Sequence, residues 1–199
     1  MDTHADRIVA IAHERGLFRP RDLVPHGIPR ASLMHAVRSG RIERIGRGLY
    51  ALPGSQKSEH CELAEVARRV PDGVVCLLSA LRFHDLTTQA PFEVWLAIDR
   101  KAAAPTFSYP PLRLVWSSGP AREVGVEEHV VDGVPVRVTS IAKTIADCFK
   151  YRNKIGLDVA LEALREAWDA KRVTAAELWR CAKANRVANV MLPYCEALQ

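Results

Sequence analysis

Three groups of residues in this chain have types and spacings that could do chemistry. Inside RIERIGRGLYALPG (41–54), Gly46-x-Gly48-x-x-Ala51 has the written form of a dinucleotide-binding fingerprint, whose glycines let the backbone approach a pyrophosphate. Ser79, His84 and Asp85 hold the atoms of a hydrolytic triad. Lys143, Lys150, Arg152 and Lys154 place four bases within twelve residues, where they could meet an anion.

The surrounding elements decide which of these chemistries can be built. A dinucleotide loop must lead into a helix whose N-terminus holds the pyrophosphate. Here Gly48 is followed by Leu-Tyr-Ala-Leu-Pro-Gly, which is strand-like and ends on breakers, and no acid sits at the ribose-binding offset. The fingerprint is accidental. His84 and Asp85 are sequence neighbours, and no nucleophile elbow surrounds Ser79, so the triad is accidental too. His60-Cys61 is an isolated pair on a polar helix, and Glu93-x-Trp95 lacks the lysine of an acid-x-lysine nuclease site. The five cysteines (61, 76, 148, 181 and 195) form no C-x-x-C pair and read as free thiols in a reducing compartment. The expectation is a protein that is not an enzyme, with no catalytic residue, no cofactor and no metal.

Charge points elsewhere. The net charge is +5 over 199 residues, and its location is informative. Residues 1–57 hold ten bases and five acids, while the rest of the chain is balanced at eighteen of each. Nine of those ten bases are arginine, the side chain suited to bidentate phosphate and guanine contacts. A basic module joined to a neutral domain suggests an anionic partner, nucleic acid first, and the elements read below narrow it to double-stranded DNA. The start, MDTHADRIVA, has an acid at position 2 and no apolar h-region, and the longest apolar run falls far short of a membrane span. A cytoplasmic protein with no membrane partner is expected.

The basic module has the elements of a winged helix-turn-helix. Residues 5–15 read as a helix with Ile8, Ile11 and Ala12 on one face and Gly16 as its stop. A short segment starts at Pro20, and a third helix opens on Pro29 and stops at Gly40. On that third helix Leu33, Met34 and Val37 cluster, while Ser32, His35 and Ser39 lie opposite, flanked by Arg38 and Ala31. Small polar groups and an arginine on the outward face suit entry into a major groove. Residues 41–45 and 48–52 then read as two strands joined by Gly46-Arg47, with a bulge or a one-residue slip left open by the uneven alternation. The DNA-binding candidates are Arg30, Ser32, His35, Arg38 and Ser39 on the helix, with Arg44 and Arg47 on the wing.

Residues 1–54 therefore form the expected DNA-binding domain, 55–58 a polar linker and 59–199 a second domain. In the latter, 59–70 and the apolar run 74–83 read as helices, and 91–98 and 111–116 as strands. Asp132-Gly133 between valines marks a type I′ hairpin. Four helices follow: one capped by Ser140 and running to about 151, one over 157–169, one opened by the capping box Thr174-Ala-Ala-Glu177, and one near 186–198. The fold class is α+β: a winged helix-turn-helix, then a larger mixed α/β domain with a helical C-terminal half.

Five segments carry a resemblance: GIPRASL (27–33), RIERIGRGLYALP (41–53), LLSALRFHDLTTQ (77–89), EVWLAI (93–98) and AKTIADCFKYRNKIGLD (142–158). Together they span nearly the whole chain, and it resembles the AbiEi-type antitoxins of bacterial toxin–antitoxin (abortive infection) systems. The resemblance implies a winged helix that represses its own operon at promoter repeats. It also implies a C-terminal antitoxin domain that neutralises a cognate nucleotidyltransferase-like toxin. Lys143, Asp147, Lys150, Arg152 and Lys154 lie in the signature block and are carried over as antitoxin-domain candidates. Where the family has a proline before Ala-Lys-Thr, this chain has Ile141, which changes only the pre-setting of a helix start. Two alternatives stay open: a plain transcriptional regulator with a ligand-sensing or dimerising second domain, and a nucleic-acid-targeted enzyme.

Overall fold

The computed structural model describes residues 3–46, 48–54 and 58–198. The chain divides into two compact units, Met1–Arg69 with Val130–Pro135, and Val70–His129 with Val136–Gln199.

In the first unit, α1 (His4–Arg15) begins with a capping box between Thr3 and Asp6 and ends at Gly16, whose φ of +63° suits a residue without Cβ. A 3-10 segment, Pro20–His26, leads to α2 (Arg30–Arg38), which Pro29 precedes in extended conformation. The wing follows as β1 (Glu43–Gly46) and β2 (Leu49–Ala51), and α3 (Cys61–Arg69) completes the order. The elements before α3 close on one core of Ile8, Phe18, Leu23, Leu33, Ala36, Ile42 and Tyr50. Each is too short to be stable alone and holds its shape through this shared burial.

The wing corrects the expected turn. Glu43 pairs with Ala51, Arg44 with Tyr50 and Gly46 with Leu49, with a bulge between Arg44 and Gly46. Gly46 therefore ends β1, and the turn falls one residue later, at a position where Gly48 takes a φ of +70°. The bulge realises the irregularity that the uneven alternation left open, with Arg44 opposite Tyr50. All three residues of β2 are buried, which a strict period of two could not have given.

The second unit is built on a five-stranded sheet of order β5-β4-β3-β7-β6, comprising β3 (Val74–Val75), β4 (Val94–Asp99), β5 (Leu112–Ser117), β6 (Val126–Val131) and β7 (Val134–Thr139). The tip of the β6–β7 hairpin groups with the first unit. Strand β3 is antiparallel to β4 and parallel to β7, and β4 is parallel to β5. Residues 74–83 are not a single helix. Val74–Val75 is a central strand, and α4 (Leu77–Phe83) starts after Cys76. Two β-branched residues paired with β4, of which Val75 also pairs with β7, outweigh the helical character of the Leu-rich run, which periodicity alone could not divide. Asp132 and Gly133, at φ of +49° and +71°, make the expected hairpin turn.

The helical half contains α5 (Pro120–Glu123), α6 (Ile141–Lys150), α7 (Arg152–Ile155), α8 (Leu157–Asp169), α9 (Ala175–Asn185) and α10 (Ala188–Glu196). Ser140 caps α6 and the Thr174–Glu177 box caps α9, both as expected. Helix α6 is buried from Ala142 to Phe149, because α4, α8 and α9 all pack on it. Among the described residues, no helix is long and apolar enough to cross a membrane.

Candidate nucleic-acid interface

Helix α2 has the two faces such a site requires. Leu33 and Ala36 are fully buried against α1 and the wing, which fixes the roll of the helix about its axis. That roll leaves Arg30, His35, Arg38 and Ser39 exposed and Ser32 half-buried. The serines differ in availability. Ser32 Oγ lies 3.1 Å from His4 Nδ1, and Ser39 Oγ donates to the Ala36 carbonyl at 3.2 Å. His35 and Arg38, three residues apart, therefore form the outward edge of the helix.

On the wing, Arg44 is exposed and its Nε donates to the Gly46 carbonyl at 3.2 Å. That bond uses one of five guanidinium donors and orients the rest. Arg47 lies outside the described residues.

Two features of this unit escaped the reading of the sequence. Arg41 is ion-paired with Asp6 at 2.7 Å, joining the start of the wing to the first turn of α1. The Thr3 capping bonds, with this contact second, hold the Asp6 carboxyl well below the usual carboxylate range. In addition, Arg19, Arg21, Arg68 and Arg69 gather about Asp22 and Glu65. Burial and the three neighbouring guanidiniums lower the pKa of Arg19, and Arg68 reaches Asp22 at 2.8 Å. Charge counting registered part of this excess but not its convergence, because Arg68 and Arg69 are more than forty residues from Asp22 in sequence.

The five candidates in the second unit separate. Lys143 and Asp147 are 2% and 6% exposed and bond to each other across one turn of α6. Asn185 Nδ2 also donates to Asp147 Oδ1, at 2.8 Å. Burial pushes the Asp147 carboxyl up against the opposing pull of Lys143 and Asn185. Lys150 is half-buried, Lys154 is exposed, and both ammonium groups lie over the Tyr151 ring, at 5.8 and 5.7 Å. Arg152 donates to the Phe149 carbonyl at 2.9 Å, satisfying an otherwise open group at the end of α6.

The atoms of the supposed triad have other partners. Ser79 Oγ accepts from the Trp95 amide at 2.9 Å, and His84 Nε2 bonds the Thr139 carbonyl at 2.7 Å. Among the described residues, no three of His, Cys, Asp and Glu gather where they could hold a metal ion.

Three helical segments followed by a two-stranded wing, with a basic outward face on the third segment, define a winged helix-turn-helix regulator domain. Residues 6–53 match the family model described as transcriptional regulator, AbiEi antitoxin. No curated protein matches the chain.

Proposed function

We propose that the protein is the antitoxin of a bacterial toxin–antitoxin system: it represses its own operon through the winged helix and opposes a nucleotidyltransferase-like toxin through the second unit. The observation that carries this reading is the AbiEi regulator match over residues 6–53, on a domain whose α2 turns Arg30, His35 and Arg38 outward. In this reading α2 enters the major groove of operator DNA, with His35 and Arg38 on base edges. Arg44, with Arg47, meets the phosphate backbone beside it. The second unit acts on the toxin without turning over a substrate of its own, and Lys150 and Lys154 are the cations of the signature block within reach of a partner.

Gel shifts with promoter DNA of the chain's own operon test the first half. Wild type binds, and the His35→Ala/Arg38→Ala pair loses the preference for operator over unrelated duplex. Equal affinity for both duplexes in wild type overturns the reading. Co-expression with the neighbouring gene product tests the second half. The family match ends before the second unit, which favours one rival, a plain regulator with a different second domain. Failure to relieve toxicity, with operator binding intact, selects that rival.

A further inference from the structure

Between the ends of β3 and β5, α5 and α6, the second unit holds a small, partly open pocket. Ser117, Arg122, Thr139, Lys143, Asp147 and Lys150 supply its polar lining. Three of these side chains are cations and one is a carboxylate, which is unusual for a pocket on a sheet-and-helix core.

The hydrogen bonds around this pocket are incomplete. Ser117 Oγ and Arg122 Nε are buried and have no partner. The other guanidinium nitrogens of Arg122 are placed: Nη2 donates to the Asp72 carbonyl at 2.8 Å, and Nη1 lies 3.8 Å from Asp99. Lys143 is 2% exposed, and its ammonium bonds Asp147 alone among the described residues, so two of its three hydrogens lack an acceptor. Native interiors pair nearly all such groups, so the unpaired donors call for an acceptor from outside the chain.

We propose that this pocket is a binding site for a phosphoryl group. A tetrahedral oxyanion brings several acceptor oxygens and no obligatory donor, which complements Lys143, Lys150, Arg122 Nε and the Ser117 hydroxyl together. A water molecule could satisfy two or three of these donors but would leave the charge excess uncompensated. A metal cation would face three cations and one carboxylate, which already bonds Lys143. The site is independent of the operator-binding face, since all its residues belong to the second unit. It accounts for Lys150, a signature-block residue that is half-buried where a purely solubilising lysine would be exposed.

The test uses the full chain, free of DNA, at constant ionic strength. Inorganic phosphate and a nucleoside 5′-monophosphate are titrated by calorimetry and by thermal shift, with chloride as the reference salt. At least one of the two binds and raises Tm, and comparing them tells free phosphate from a nucleotide's phosphoryl group. Lys150→Gln and Ser117→Ala each weaken binding by roughly ten-fold or more, as expected for a lost hydrogen bond to a charged group. Arg44→Ala leaves it unchanged. If neither ligand raises Tm beyond chloride, or if Lys150→Gln and Ser117→Ala bind as wild type does while remaining folded, the site is a water-filled cavity and the proposal is overturned.

Discussion

Lys143 and Asp147 stand one turn apart on α6 and bond to each other where neither reaches bulk solvent. Removing one partner leaves the other buried and unpaired. Asp147→Ala is expected to cost ~3–5 kcal/mol of folding stability. Replacing both, as Lys143→Met with Asp147→Leu, is expected to restore most of that loss. Chemical denaturation of the single and double variants gives the coupling directly. Additive losses would show that the pair does not act as a unit.

Operator binding separates helix from wing. Arg44→Ala should reduce the slope of log K against log salt by roughly 0.9 for one lost phosphate contact, with little dependence on operator sequence. Arg38→Ala and His35→Ala should each cost ~1–3 kcal/mol, unequally across operator variants. Fluorescence anisotropy over a salt series measures both effects. An unchanged slope for Arg44→Ala would remove the wing from the interface.

Gly16 is expected to tolerate no side chain. A Cβ there would lie 1.9 Å from the Asp132 carbonyl oxygen, and the backbone has a φ of +63°. Gly16→Ala should lower stability by at least the ~1–3 kcal/mol of the strained dihedral, with the clash adding to it. A thermal melt of the variant checks this, and a Tm equal to wild type would refute it.

His84 gives stability a sign with pH. Burial lowers its pKa below the ordinary 6.5, and its ring bonds the Thr139 carbonyl. Glu127 and His129 on β6 and Arg172 ahead of α9 are the charged or titratable groups acting on it. Between the folded pKa and 6.5, the unfolded chain binds more protons than the folded one. The stability contributed by neutral His84 is therefore complete above pH 6.5 and lost as pH falls through the folded value. Tm measured from pH 8 to 5 should decline on the acid side, and His84→Gln should flatten that decline.

Much of the fold was legible because local chemistry and tertiary packing agree. Residues 157–169 form α8 at the expected bounds, and the Thr174 box and the Asp132-Gly133 turn are where their side chains and φ preferences require. What was not legible depends on partners distant in sequence. Val74–Val75 becomes a strand only because β4 and β7 flank it, and the wing slips at Ile45 to bury Leu49, Tyr50 and Ala51 together. In the candidate sites, the outward face of α2 followed from a helical wheel. The depth of Lys143 and Asp147 did not, because Asn185, which bonds Asp147, lies on a helix thirty-eight residues further on. A lysine in a basic run looks solvated until the helix that covers it is known.

The grouping of Val130–Pro135 with the first unit has a consequence for synthesis. The Leu17 amide donates to the Asp132 carbonyl, and Ser58 Oγ donates to its carboxylate at 3.0 Å. A nascent chain that has emerged only as far as Arg69 therefore holds α2 and the wing without the segment that closes their unit. The unit becomes whole only once residues 130–135 have been made. A chain stopped before residue 130 would carry the exposed face of α2 on an unfinished support.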